Sequence, residues 1–253
     1  DVAIAEQHAI TSMAAMAKEG FKPFVTIYST FLQRGFDQII HDVCIMNLPV
    51  VFAMDRAGIV GNDGETHKGA FDISFLRFIP NMVLFAPRDN ETLKYSLDFA
   101  YSLNSPCAIR YPRGAFSKLD FQSSKFELGK SELLKNGTSN KLFIGYGSGV
   151  AKAIEVEKLH KEDIAILDLR FVKPLDIDTL VLLSKKYDSW YIFSDSCKQG
   201  GVLSAILEAL SEKNITNISL KSFEYEDNFI EHGDTKKVEE SLQLLPKQLV
   251  NLI

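Results

Sequence analysis

The residues best equipped for chemistry lie in one stretch, Asp55-Arg-Ala-Gly-Ile-Val-Gly-Asn-Asp-Gly-Glu-Thr-His-Lys-Gly-Ala-Phe71. Arg56, Asp63, Glu65, His67 and Lys68 stand among four glycines, Gly58, Gly61, Gly64 and Gly69. Glycine allows positive φ and lets a ligand approach the backbone closely. The charged residues among them could hold an anion, orient a carbonyl and pass a proton. The plain alternative is a surface loop of solvated charges, and composition alone does not separate the two. Three smaller groups could add to this chemistry: Glu6-Gln-His8, Tyr28-Ser-Thr-Phe-Leu-Gln-Arg34 and Arg110-Tyr-Pro-Arg-Gly114. Each has an ordinary explanation. Glu6 could complement a helix dipole, His8 could be a hydrogen-bonded structural histidine, Phe31 could be core, Arg34 a surface charge, and Arg113 could simply pair with a carboxylate.

The elements that carry these groups tip the balance. The run 49–54 reads as a buried strand and 71–79 as a short helix, so the glycine-rich stretch is the connection at a strand's carboxyl end. Residues 24–28 read as a strand leading into the Tyr28–Arg34 group, and 107–110 as a strand leading into Arg110–Gly114. Further strands are expected at 82–86, 142–146, 164–167, 190–193 and 215–220. Helices are expected at 6–19, 31–47, 90–103, from Gly149 to about 160, 176–186, 201–212, and from about 236 to 252 with a bend at Pro246. Strands alternating with helices argue for α/β architecture with parallel sheets. In such sheets the carboxyl ends of the strands share one edge, where ligands bind. Several polar groups fall there.

Residues 115–130 are polar and aperiodic, with Ser123 and Ser124. They divide the chain into an α/β domain over 1–118, a linker over 119–130 and a second α/β domain over 131–253. Gly145-x-Gly147-x-Gly149 follows a strand and opens a helix, but lacks the full dinucleotide spacing and a Walker lysine, so it reads as a tight turn. Lys173-Pro174 reads as a turn too.

The 253 residues include 28 basic and 33 acidic side chains, net −5, which leaves no footprint for nucleic acid. Cys44, Cys107 and Cys197 are far apart, with no CxxC pair or Cys/His cluster, so neither a zinc site nor a disulfide framework is expected, and a reducing cytoplasmic setting fits. No apolar run is long enough to span a membrane. The chain opens at Asp1 directly into Val2-Ala-Ile-Ala5, which reads as the inside of a longer polypeptide.

Taken together, Asp1-Val-Ala-Ile-Ala-Glu-Gln-His8, Tyr28–Arg34, Asp55–Asp72 and Arg110–Gly114 resemble the 1-deoxy-D-xylulose-5-phosphate synthase family, and Leu169-Arg-Phe-Val-Lys-Pro-Leu175 resembles that family's last domain. The resemblance implies a transketolase-like pyrimidine-binding domain followed by a transketolase C-terminal domain. It also implies a thiamine diphosphate enzyme that joins pyruvate and glyceraldehyde 3-phosphate, with loss of carbon dioxide, for isoprenoid, thiamine and pyridoxal synthesis. It implies a cytoplasmic homodimer using Mg²⁺. The family binds magnesium and the diphosphate on a preceding domain, commonly through Gly-Asp-Gly. Asn62-Asp-Gly64 is not that motif, so no metal ligand is expected here and the chain is expected to be inactive alone.

By position, the resemblance makes Glu6 the cofactor-activating glutamate, whose carboxyl at the pyrimidine N1′ favours the imino form, and Phe31 the aromatic that stacks on the pyrimidine. Arg56 and Arg113 become the grip on the acceptor phosphate, as paired guanidinium forks would suit. Tyr28, Arg34, Asp63 and His67 complete the acceptor site, with His67 able to manage protons on the aldehyde. Phe193-Ser-Asp-Ser-Cys197 departs from the family's acidic pair, and Glu231-His-Gly233 also differs; neither is expected to touch the first domain's motifs. Two other readings stay open. A β-type subunit of another thiamine diphosphate enzyme would need a separate α chain, and a non-catalytic transketolase-like module would have no use for Glu6.

Overall fold

A computed structural model describes residues 1–253. The first sheet has the order β1 (Phe24–Tyr28), β2 (Val51–Ala57), β4 (Cys107–Pro112), β3 (Val83–Phe85), β8 (Phe171–Lys173). The second has the order β10 (Ser219–Tyr225), β9 (Ser189–Cys197), β6 (Lys141–Gly145), β7 (Ala165–Asp168), β5 (Glu132–Lys135). The helices are α1 (Glu6–Lys18), α2 (Phe36–Gln38), α3 (Asp72–Leu76), α4 (Asn90–Ser102), α5 (Gly149–Leu159), α6 (Ile177–Leu183), α7 (Val202–Glu212), α8 (Thr235–Ser241) and α9 (Pro246–Leu249). No helix is long and apolar enough to cross a membrane.

The α/β architecture and the parallel pairing of the inner strands agree with the hydrophobic runs. Strands 51–54, 83–85 and 107–110 are buried at every position, as strands covered by helices on both faces must be. Both sheets differ from expectation at an edge. β5 runs antiparallel to β7, and β8 runs antiparallel to β3. β8 lies beyond the polar segment, yet it completes the first sheet, pairing Phe85 with Phe171. Strands this short carry no period to read. The result is one core continuous across both halves, in which Leu76 and Ile79 join Leu169 and Val172.

Two helical expectations and one strand boundary change as well. The stretch 31–47 is not one helix: a 3₁₀ turn (Phe31–Gly35) leads into α2 and then a π-helical segment, Ile39–Cys44. Gly35 is pressed against the Ile10 side chain of α1, leaving no room for a Cβ, and the chain tightens there to make that approach. Pro246 does not bend a long terminal helix but opens a separate one at its first turn, where a missing N–H costs nothing. The strand expected at 215–220 lies at 219–225; Ile215 and Ile218 pack on the core from the preceding connection.

Candidate active site

The glycine-rich connection follows β2 and is closed at its base by a backbone pair: Gly58 N–H donates to Gly69 O (2.7 Å) and Gly69 N–H donates to Gly58 O (2.9 Å). Two 3₁₀ turns, Gly61–Asp63 and Glu65–His67, fold the intervening chain. Buried Lys68 spans it, donating from Nζ to Gly61 O (3.1 Å). Burial pushes the Lys68 ammonium below the usual lysine range, against the pull of Glu65 and Asp63.

Around this loop the structure gathers most of the sequence-derived site residues. Arg56, in left-handed backbone geometry (φ 64°), lays its guanidinium 3.7 Å from the centroid of the Tyr28 ring and pairs with Asp55. Arg113 comes in from the end of β4, and its Nε lies 3.2 Å from Asp63 Oδ2. Arg56 Nε is 3.7 Å from the same oxygen and is buried with no hydrogen bond of its own. Two guanidinium groups from separate connections therefore converge on one carboxylate. Tyr28 stacks on Phe31 (5.3 Å between centroids), and His67 meets the Phe31 edge at 5.0 Å. Tyr28, Phe31, Arg56, Asp63, His67 and Arg113 thus form one cluster.

Glu6 and Arg34 stand apart from that cluster as a second pair, with Arg34 Nε 2.9 Å from Glu6 Oε2. Glu6 is the first residue of α1 and only 8% exposed, whereas the Arg34 side chain is 54% exposed. The Arg34 N–H is not aligned for a hydrogen bond, and Oε2 has no donor. Glu6 lines an open groove of about 590 Å³ together with Met13, Ile27, Tyr28 and Phe31. Tyr28 and Phe31 therefore belong to both sub-sites and join them. His8 is exposed, beside Ser12. No group of three or more His, Cys, Asp or Glu side chains is arranged to hold a metal ion.

The second domain takes a larger part than its sequence pattern suggests. Asp195 and Gly233 do touch the first domain's motifs. Asp195, at the end of β9, pairs with the fully buried Arg110. Gly233 N–H donates to Gly61 O (3.3 Å). A cavity of about 600 Å³ opens between the domains on the side of Arg113, lined also by Ser148, Lys152, Asp195 and Glu239. Burial alone would raise the Asp195 carboxyl; Arg110 and the Ser148 hydroxyl outweigh it and hold it below the usual aspartate range. Nothing in the local pattern around Asp195 marks this role, because its partner is far away in the chain. Asp55 is the other residue whose role the pattern conceals: it sits inside the motif, next to the arginine it pairs with. The Gly145–Gly149 run is structural, since Gly149 lies against the Phe193 carbonyl and a Cβ there has no room.

Comparisons with known proteins identify the two domains. Residues 1–118 match the family model for the transketolase pyrimidine binding domain, and residues 129–249 that for the transketolase C-terminal domain. Over its 253 residues the chain is 78% identical to a 1-deoxy-D-xylulose-5-phosphate synthase from Aliarcobacter butzleri (strain RM4018), and it is 63% identical over 254 aligned residues to one from Sulfurimonas denitrificans (strain ATCC 33889 / DSM 1251). The matches take in 100% of this chain but only 42% of the length of each of these relatives. Among solved structures, a split-gene transketolase described as an inactive beta4 tetramer superposes with a TM-score of 0.88 at 26% identity, covering 98% of this chain and 80% of that one. A transketolase from Campylobacter jejuni superposes at 0.73 with 20% identity, over 94% of this chain and 36% of that one, a likeness of fold alone.

Proposed function

The chain belongs to the transketolase family, with that family's pyrimidine-binding and C-terminal domains, and on that premise we propose that it works as part of a 1-deoxy-D-xylulose-5-phosphate synthase. The reaction joins pyruvate to glyceraldehyde 3-phosphate with loss of carbon dioxide, and its product serves isoprenoid, thiamine and pyridoxal synthesis. The observation that carries this reading is the convergence of Arg56 and Arg113 on Asp63 beside the Tyr28–Phe31–His67 row. Two forked cations on one small target suit a phosphate-bearing acceptor. High identity to synthases along the whole chain supports the same substrates.

Thiamine diphosphate fits the neighbouring groove. A buried carboxylate oxygen without a donor, Glu6 Oε2, suits the protonated nitrogen of an aromatic ring, and Phe31 offers that ring a face. When bound, the cofactor supplies the electron sink for decarboxylation. The chain's own residues do the rest of the work. Glu6 holds a proton at the ring nitrogen, Arg34 balances its charge, and Phe31 fixes the ring plane. Arg56 and Arg113 hold the acceptor phosphate, while Tyr28 holds Arg56 flat by a cation–π contact. Asp63 spaces the two arginines, and the His67 imidazole is the group able to exchange a proton with the acceptor's carbonyl oxygen.

Magnesium and the diphosphate call for ligands these residues do not offer, and we assign them to the remaining part of the relatives' length. We further assign the protein to the cytoplasm and to a homodimer, as part of the same reading. The test is product formation by the complete enzyme supplied with pyruvate, glyceraldehyde 3-phosphate, thiamine diphosphate and Mg²⁺. The expected outcome is 1-deoxy-D-xylulose 5-phosphate and one equivalent of carbon dioxide, with none from the 253-residue chain by itself. Activity with a ketose phosphate donor in place of pyruvate, or dependence on a separate α chain, contradicts the proposal.

A further inference from the structure

Arg110 lies within β4, three residues before Arg113, and is fully buried. Its Nε donates to Asp72 Oδ2 (3.0 Å) and its Nη1 to Asp195, and its Nη2 reaches Gly69 O (3.4 Å) and Asp195 O (3.3 Å). One guanidinium thus ties together the start of α3, the closing residue of the glycine-rich loop and the second domain's β9. Asp195 is held in turn by Ser148, whose hydroxyl donates to its Oδ2 (2.5 Å). The same carboxylate is packed against the loop's other end. A Cβ built on Gly58, at φ +76°, falls 2.7 Å from Asp195 Oδ2. Both ends of the loop, Gly58 and Gly69, therefore rest on a single acidic residue, directly or through Arg110. Cys197 N–H, donating to Ala70 O (2.8 Å), fixes the chain just beyond.

We propose that Asp195 is a positioning residue for the acceptor site: a carboxylate of the second domain that sets, through Arg110 and Gly58, where the 58–69 loop holds Asp63 and His67. This rests on the acceptor site assigned above. A buried cation that loses one of its two carboxylates does not stay as it was. Arg110 turns toward its remaining acceptors, Asp72 on one side or the backbone carbonyls of Gly69 and Asp195 on the other. Either choice moves the base of the loop, and Asp63 moves with it. Asp63 is the group on which Arg56 and Arg113 converge, so the displacement is felt at the phosphate grip and not in the Glu6 groove, which lies on β1 and α1.

The experiment uses the complete enzyme and compares wild type with Asp195→Asn and Ser148→Ala. The Asn side chain keeps the shape but drops the charge, while Ser148→Ala removes one bond to the carboxylate and leaves Arg110 paired. Steady-state constants are measured for glyceraldehyde 3-phosphate and for pyruvate, together with the dissociation constant of glycerol 3-phosphate by calorimetry. Asp195→Asn is expected to raise both acceptor-side constants about ten-fold and to leave the pyruvate KM within about two-fold. Ser148→Ala is expected to move the same constants in the same direction by a smaller factor, and it carries the test if Asp195→Asn fails to fold. Unchanged acceptor constants overturn the proposal, as do equal rises for acceptor and pyruvate, the mark of a merely structural residue. If the wild-type enzyme makes no product from the two substrates, the assigned reaction has failed. Glycerol 3-phosphate binding then still tests whether Asp195 governs a phosphate site.

Discussion

The two arginines to which we assign the phosphate grip are not equivalent, and their difference is measurable. The Arg56 side chain is 21% exposed, stacks on Tyr28 and pairs with Asp55, whereas that of Arg113 is 47% exposed and reaches only Asp63 and the Val60 carbonyl. A hydrogen bond to a charged group contributes about 1.5–3 kcal/mol when shielded, and about 1 kcal/mol or less when solvent screens it. At about 1.4 kcal/mol per ten-fold change, Arg56→Ala should raise the acceptor KM by about ten- to a hundred-fold, and Arg113→Ala by about five-fold. Arg56→Lys should recover little, because a lysine supplies one point charge, stacks less well on Tyr28 and lacks the fork. The assay is steady-state kinetics of the complete enzyme with each substrate varied in turn, the pyruvate KM serving as the internal control. An Arg113→Ala loss larger than that of Arg56→Ala would refute the ranking by burial. Parallel rises in both KM values would refute the assignment of these arginines to the acceptor.

Two predictions concern the scaffold. Burial outweighs the N–H groups of Val202 and Leu203 at the start of α7 and pushes the Glu224 carboxyl up to about 7 from an ordinary value of 4.5. The folded state therefore holds a proton that the unfolded state releases first, so the stabilisation is complete below about pH 4.5 and fades as pH rises through 7, by about 3 kcal/mol at most. Melting temperatures from pH 4.5 to 8 should show this decline in wild type and lose its Glu224 share in Glu224→Gln; an identical slope in the variant counts against it. Arg88 and Asp168, 0% and 1% exposed at their side chains, join the two domains at 2.8 Å. Asp168→Ala leaves a buried cation short of a partner and should cost about 3–5 kcal/mol, read as a fall in Tm of about 10 °C, while Lys198→Ala at an exposed pair should cost under about 1 kcal/mol. Similar small losses for both would mean that Arg88 re-pairs freely.

Much of the first domain is legible in its amino-acid sequence. Buried parallel strands announce themselves as short apolar runs, and the polar residues from Tyr28, Asp55 and Arg110 onward mark the carboxyl-terminal parts of three of them. Because those ends share one edge, the meeting of Tyr28, Arg56 and Arg113 follows from topology. The irregular run 31–44, within which Gly35 makes its close approach to Ile10 across the fold, is not legible in this way. Nor is β8, whose three residues join a sheet from which the chain has already departed. Arg110 and Asp195 show the same limit at the site. A local pattern records which face of an element is apolar, but not which distant charge meets it. The placing of Arg34 with Glu6, apart from the other acceptor-site candidates, also depends on how the 3₁₀ turn 31–35 aims its side chains.

The account stands or falls on Glu6 as the group that activates the cofactor. Glu6→Gln keeps the size and the helix position but cannot offer a carboxyl to the pyrimidine nitrogen. If Glu6 only complements the dipole of α1, the change should cost about 1 kcal/mol of stability or less and leave chemistry intact. If it activates the cofactor, hydrogen–deuterium exchange at C2 of bound thiamine diphosphate should slow by about 10²–10⁴, the range of a positioned acid–base group. The measurement is C2 exchange in the complete Glu6→Gln enzyme at saturating cofactor, followed by NMR after acid quench. Exchange slowed by at least about a hundred-fold is the expected result. An exchange rate equal to wild type would remove Glu6 from the mechanism and contradict the assignment of the groove.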